Sequence, residues 1–134
     1  MNSNEMKLRT RQFALRVIKL VRSLPRDPVA SVMGKQLLRS GTSVGANYRS
    51  SCRAKSRADF VVKMTTVEEE CDESLYWMEL LIEAGIIRES KLRPLMTEGG
   101  EILAIIVSSI NTARSNSPGR VKNPQSAIRN PQFS

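Results

Sequence analysis

The chain has 134 residues, the length of one domain that can bury a hydrophobic core. It carries 21 Lys and Arg against 13 Asp and Glu, so its formal net charge is +8. The chain has no histidine, which excludes Ser-His and Cys-His catalytic pairs and imidazole metal ligands. Apolar residues make up 40% and aromatic residues only 4%, which favours packed helices over a β-sandwich.

The first predicted helix runs from Met6 to Leu24, where apolar residues recur at about 100° per residue. Pro25 ends this pattern, because the residue before a proline is disfavoured in the helical conformation. The expected core positions are Met6, Phe13, Val17, Leu20, Val21 and Leu24.

The second predicted helix begins at Asp27-Pro28, an N-cap followed by proline at the first helical position. Gly41 and Gly45 weaken the pattern, but apolar and small residues continue as far as Cys52. These glycines therefore favour a kink or a close helix approach rather than a helix end. The expected core residues are Val29, Val32, Met33, Leu37 and Val44.

The third predicted helix is capped by Ser56 and ends at Ala84-Gly85, and the fourth is capped by Ser90 and ends near Arg114. Short connections make neighbouring helices antiparallel, so we expect an all-α, up-down four-helix bundle. The expected core residues are Phe60, Met64, Val67, Cys71, Leu75, Met78 and Ile82 in the third helix and Leu92, Leu95, Met96, Leu103, Ile106 and Ile110 in the fourth.

Residues 1–115 are predicted to form the bundle domain, and residues 116–134, rich in Pro, Asn and Ser, a disordered tail. Cys52 and Cys71 lack metal-binding spacing and are interpreted as reduced, buried thiols. The polar, basic start and the absence of a long apolar run predict a cytoplasmic protein without a membrane span.

Charge is segregated along the chain. Residues 1–58 carry 13 basic and two acidic side chains, whereas residues 59–101 carry 11 acidic and four basic ones. This pattern indicates either that basic and acidic helices neutralise each other, within or between subunits, or that the basic half is a polyanion-binding surface. The two interpretations are compatible with each other, and both stay open.

Two helices carry an apolar stripe on the side opposite the predicted core. Leu8, Leu15 and Ile18 lie among basic residues on the first helix, and Val62, Tyr76 and Leu80 lie among acidic residues on the third. One interpretation is scattered surface residues, which are normal. The other is a pair of mating faces on different subunits, a heterologous contact whose closure gives a ring.

Residues 36–85 resemble the 23S ribosomal RNA intervening-sequence protein family, and the resemblance extends to about residue 115. The elements that carry it are Gln36-Leu37-x-Arg39-Ser40, Ser43-Val44-x-Ala46-Asn47, Ser56-x-x-Asp59-Phe60, and Glu69, Glu73 and Trp77. Many members have an Asn-Ile-Ala-Glu-Gly-like stretch where this chain has residues 47–51, Asn-Tyr-Arg-Ser-Ser, so a role of that Glu does not transfer.

The resemblance implies a left-handed up-down bundle, a homopentameric ring and no established enzymatic activity. We expect no cofactor. The accessory variability determinant of diversity-generating retroelements is similar in fold and pentameric form, binds nucleic acid and works with a reverse transcriptase. Some family members are encoded inside ribosomal RNA genes, which suggests a link to RNA.

The predicted nucleic-acid surface is basic and not sequence-specific, since phosphate contacts need clustered cations more than exact spacing. Its residues are Arg49, Arg53, Lys55 and Arg57, supported by Arg11, Lys19 and Arg22. Tyr48 is the one aromatic residue within this basic run, and such a residue more often belongs to a core.

An acidic run on the third helix, Glu68 to Glu73, raises the question of a metal site, but a di-iron bundle needs histidine. We interpret the run as a solvated or ion-paired helix face. The leading hypothesis is a non-enzymatic, oligomeric accessory protein that binds RNA or DNA. The alternative is a structural module that recruits a protein partner, such as a reverse transcriptase, without binding nucleic acid.

Overall fold

The computed structural model describes residues 1–116, and within them the chain forms four α-helices and no strand. The helices are α1 (Ser3–Arg22), α2 (Pro28–Ser51), α3 (Arg57–Glu83) and α4 (Glu89–Ser115). The all-α prediction is confirmed, and α2 continues through both of its interior glycines. Asn116 is buried, and the predicted disorder of residues 117–134 lies outside the described residues.

Side chains cap three of the four helices at their N-termini. The Asp27 carboxylate accepts the backbone N–H of Val29 at 3.2 Å, and Ser56 Oγ accepts that of Asp59 at 3.0 Å. The cap predicted at Ser90 is wrong. Helix α4 begins after Arg88, which makes no side-chain capping hydrogen bond, so Ser90 lies inside the first helical turn.

The helices run up and down in chain order. On α2, Gly34 faces Leu24 near the end of α1, whereas Gly45 faces Thr10 nearer its start, so α1 and α2 are antiparallel. Each helix packs against the next one along the chain, and α4 also packs against α1. This order of contacts leaves α1 and α3 on opposite corners of a four-helix bundle.

One continuous core fills the bundle. Ala30 and Met33 take the inward positions at the start of α2 and leave Val29 and Val32 exposed, which corrects their prediction as core residues. The large apolar residues Leu81 on α3 and Ile102 on α4 are buried although they were not predicted as core, and so are the small residues Ala30 and Ala113. The largest fully buried side chains are Tyr48, Phe13, Leu37, Met64, Met78, Leu81, Leu92, Ile102, Ile106, Ile110, Val17 and Val44.

Candidate nucleic-acid interface

Part of the segregated charge is neutralised inside the bundle. Arg9 on α1 donates from Nε and Nη2 to the two carboxylate oxygens of Glu98 on α4, both at 2.7 Å, and from Nη2 to Glu101. This hydrogen-bonded pairing lowers the pKa of Glu98 despite its partial burial. On the α2–α3 side, Arg39 pairs with Glu70 and Glu73. Two cations of the basic half are therefore engaged by the acidic half of the same chain.

A second group of cations has no such partner. It consists of Lys7 and Arg11 on α1, Arg49 on α2, and Arg53 and Lys55 in the α2–α3 connection. Within residues 1–116, no carboxylate oxygen lies within 4.0 Å of the charged side-chain nitrogens of these five residues. We call this group the basic surface. Its positive charge is available to a ligand from outside the bundle.

A groove between α1 and α2 holds three of these cations. Its volume is about 520 Å³, and its lining residues are Lys7, Leu8, Arg11, Ala14, Thr42, Gly45, Ala46 and Arg49. The helices approach closely beneath it, because a Cβ atom on Gly45 would lie only 3.2 Å from Thr10 Oγ1. No acidic residue lines the groove. It therefore combines three positive charges with a floor of small and apolar side chains.

A groove of similar volume, about 530 Å³, lies at the other end of the α1–α2 seam. It contains Arg26 and Lys35 but also Asp27, so its charge is mixed. The two grooves cannot be distinguished by their volumes. The absence of an acidic residue distinguishes the one at Arg11 and Arg49.

The four residues of the predicted basic run differ in exposure. Arg49, Arg53 and Lys55 are exposed, whereas Arg57, the first residue of α3, is partly buried. The Asp59 carboxylate accepts the backbone N–H of Lys55 at 3.0 Å, which helps to fix the connection. The structure thus presents three of these four side chains to solvent.

The supporting cations on α1 do not form one cluster. Arg11 joins the groove, but Lys19 and Arg22 lie toward the C-terminal end of α1, and eleven residues separate Arg22 from Arg11, about 16 Å along the helix. Lys19 lines a different depression, between α1 and α4, with Arg16 and Lys91. Lys7 was not predicted as a site residue. Its spacing of four residues from Arg11 is the signal that could have identified it.

Among residues 1–116, no exposed aromatic side chain lies in the basic run or lines the groove. Tyr48, the aromatic residue of the basic run, is 1% exposed and belongs to the core. Trp77 is partly buried on α3, where its indole Nε1–H donates to Glu73 at 3.1 Å. Contacts to bases are therefore left to aliphatic side chains and to the planar guanidinium groups of the arginines.

The residues of the two predicted outer stripes are exposed to different degrees. Leu8, Leu15, Val62 and Tyr76 are each more than half exposed, while Ile18 is intermediate. The placement of Leu80 on the outer stripe of α3 is corrected by the structure. Leu80 is partly buried and packs against the core, because it lies on the flank of α3 rather than on its outermost line. The stripes lie on diagonal helices, so one copy of the chain can present both at once.

One of the two cysteines also differs from its prediction. Cys71 is buried and its thiol donates to the carbonyl oxygen of Gly99 at 3.3 Å, but Cys52 is exposed just beyond α2. Across residues 1–116 there is no group of three or more Cys, Asp and Glu side chains arranged to hold a metal ion. None of the four helices is long and apolar enough to cross a membrane.

Comparison with known proteins matches the fold and sequence to a family. The model of the 23S rRNA-intervening sequence protein family matches residues 2–108, which include all of α1, α2 and α3 and most of α4. The chain belongs to this family. No curated protein is found to match it.

A crystal structure of a family relative shows the same fold. It is a protein of unknown function from the S23 ribosomal protein family of Bacteroides thetaiotaomicron, 38% identical in sequence, with a TM-score of 0.77. The match covers 83% of this chain and 99% of that chain. The resemblance inferred from residues 36–85 is therefore confirmed at the level of the family.

Proposed function

We propose that this chain is a non-enzymatic, oligomeric accessory protein that binds RNA or DNA through the basic surface. The observation that carries the proposal is the uneven pairing of cations. Arg9 and Arg39 are held by carboxylates, whereas the cations of the basic surface have no carboxylate oxygen within 4.0 Å in residues 1–116. Unpaired cations gathered on one part of a protein attract polyanions, and release of counterions from phosphates supplies the binding free energy.

The binding is expected to depend little on sequence. Long Lys and Arg side chains contact phosphates, which carry no sequence information themselves. Arg49 and Arg53 are one helical turn apart, so both can follow one backbone. The family name refers to an intervening sequence of ribosomal RNA, which is consistent with an RNA ligand.

Self-association is the second part of the proposal. The outer face of α1, with Leu15 and Ile18 beside Lys19 and Arg22, complements the outer face of α3, with Tyr76 beside Glu69, Asp72 and Glu83. Opposite charges around apolar centres suit a head-to-tail contact between copies. The resemblance to pentameric relatives makes a homopentameric ring the expected closed form. Several weak sites on one ring then bind one strand with avidity.

A protein partner is the alternative, and one feature favours it. Val29 and Val32 are 56% and 62% exposed at the start of α2, and the proposed nucleic-acid surface does not use them. A polymerase such as a reverse transcriptase is the candidate partner. If the purified protein binds no nucleic acid even at low salt, this alternative replaces the proposal.

The test compares two double variants that remove the same charge. R49Q/R53Q neutralises the basic surface, and R26Q/K35Q neutralises the other end of the α1–α2 seam. The logarithm of affinity should fall by about 0.7 to 0.9 per phosphate contact with the logarithm of salt concentration, and R49Q/R53Q should reduce that slope by up to about two contacts per subunit. R26Q/K35Q should leave the slope unchanged. Equal losses in both variants would show that only net charge matters.

A further inference from the structure

We propose that the groove between α1 and α2 accepts one nucleotide of a single-stranded nucleic acid, an inference that rests on the proposed function. The phosphate lies against Lys7, Arg11 and Arg49, and the sugar and base lie on the floor formed by Leu8 and Ala46. A groove of this kind gives the protein a preference for single strands over duplexes, and the basic surface alone does not imply such a preference.

The walls of the groove supply the phosphate contact. Lys7 and Arg11 are four residues apart on α1, so their side chains start about 6 Å from each other on one side of the helix. Arg49 lies on the α2 wall. With cations on both walls and no acid in the lining, a phosphate between the helices is attracted from two sides.

The floor of the groove suits a base rather than a second phosphate. Leu8 is 55% exposed there, and more of the exposed lining is apolar than polar. Ala14, Gly45 and Ala46 have little or no side chain, which gives the groove its depth. A volume of about 520 Å³ falls within the range of about 300–1,000 Å³ that small-molecule sites occupy.

A duplex cannot use this floor. Its bases are paired and stacked inside the helix, so only its backbone reaches a cleft between two packed α-helices. The bases of a single strand are free to turn outward and lie on protein side chains. Arg53 continues the line of Arg49 beyond the end of α2, where it meets the next phosphate of the strand.

The inference is tested by filling the groove without changing its charge. Ala46 is exposed in the lining, so Ala46→Leu reduces the space while leaving the core intact, and Ala104→Leu makes the same change at an exposed position of α4. Fluorescence anisotropy should measure binding of an oligothymidylate of about 20 nucleotides and of a hairpin duplex of equal charge. Circular dichroism confirms that both variants are helical.

A46L should weaken single-strand binding about tenfold, the loss of part of one base contact, and should change duplex binding less than about twofold. A104L should change neither affinity. Leu8→Ser removes apolar lining without filling the groove and should act in the same direction as A46L; because Leu8 also belongs to the predicted outer stripe of α1, native mass spectrometry must show the same subunit number for L8S and the unmodified protein.

Other results separate this inference from the proposed function. If A46L and L8S leave single-strand binding unchanged while R49Q/R53Q weakens it, the groove assignment is overturned and the proposed function stands. Equal weakening of single-strand and duplex binding would overturn the preference for single strands. Failure of the unmodified protein to bind either probe would overturn both proposals.

Discussion

Gly41 packs directly against the side chain of Val17, and this contact sets the separation of α1 and α2. A Cβ atom at position 41 would lie 2.8 Å from both γ carbons of Val17, closer than real Cβ atoms approach other atoms. Both residues are buried, so the side chain of Val17 has no route toward solvent that would make room for an added Cβ atom. The same seam forms the floor of the basic groove, since Gly45 lies one helical turn further along.

Gly41→Ala should lower the free energy of unfolding by up to about 2 kcal/mol. Alanine gains about 1 kcal/mol in helix propensity, but the clash with Val17 costs about 1 to 3 kcal/mol. Gly100→Ala is the matched control in α4, where an added Cβ would have no atom within 4 Å. It should raise stability by about 0.5 to 1 kcal/mol. Urea denaturation of both variants checks the difference, and a stabilised G41A would contradict the close contact.

Glu98→Gln should lower stability by about 1 to 2 kcal/mol at neutral pH, because it removes the charged partner of Arg9. The pKa of Glu98 is lowered in the folded protein, so its contribution is present above the ordinary carboxyl value of 4.5. As pH falls below that value, the carboxylate is protonated and the contribution is lost. Unfolding curves of E98Q and the unmodified protein should therefore converge in acid.

Glu79→Gln is the control for the pH experiment, since Glu79 is exposed on α3, makes no ion pair within residues 1–116 and is not one of the residues assigned to the contact between copies. It should change stability little at any pH. A gap for E98Q that persists unchanged in acid would show that the cost comes from packing rather than from the charge.

The two thiols should react at very different rates at pH 8. Cys52 is exposed, whereas burial, with a smaller effect of the Asp72 charge, raises the pKa of Cys71 to about 12. A disulfide reagent should modify Cys52 alone in the folded protein and both thiols after unfolding. Cys52→Ser should abolish the fast reaction. Rapid modification of Cys71 in folded C52S would contradict its burial.

The raised pKa of the buried Cys71 thiol also predicts a loss of stability in alkali. Between the ordinary pKa of 9.0 and the folded value of about 12, Cys71 ionises only in the unfolded state. Its contribution therefore falls as pH rises through this range. Cys71→Ala should remove that part of the alkaline pH dependence.

Leu15→Asp or Tyr76→Asp should shift the protein from a closed oligomer toward helical monomers at micromolar concentration. Both side chains are more than half exposed, so a charge there disturbs the contact between copies and not the core. Val32→Asp, 62% exposed on α2 and outside both faces, should leave the oligomer intact. Native mass spectrometry reports subunit number. A monomeric unmodified protein would contradict the oligomer, and dissociation by V32D would place the contact elsewhere.

The sequence by itself determined the four helices, because each has an apolar pattern at helical spacing and two have a capping side chain that the sequence identified, Asp27 and Ser56. It did not predict the cap at Asn2, which starts α1 at Ser3 rather than at Met6. It also determined the family, since the spacing of several motif elements can be read without coordinates. The core residues in the first turns of α2 and the N-cap of α4 were predicted less well. Periodicity does not show how far the neighbouring helices extend to cover Val29 and Val32, nor whether Ser90 lies before or within the first turn.

Only the tertiary structure decided which charges are available and which glycines are tightly packed. Arg9 and Arg11 are the same residue type on the same helix, and the sequence does not distinguish them. In the structure, Arg9 pairs with Glu98, 89 positions away, whereas Arg11 lines the groove. A Cβ atom added to Gly99 would contact Leu75 and Phe13, whereas one added to the adjacent Gly100 would have no atom within 4 Å. Helical spacing fixes the side of a helix on which a residue lies. The partner on that side comes from another helix, distant in sequence, and is known only once the helices have packed.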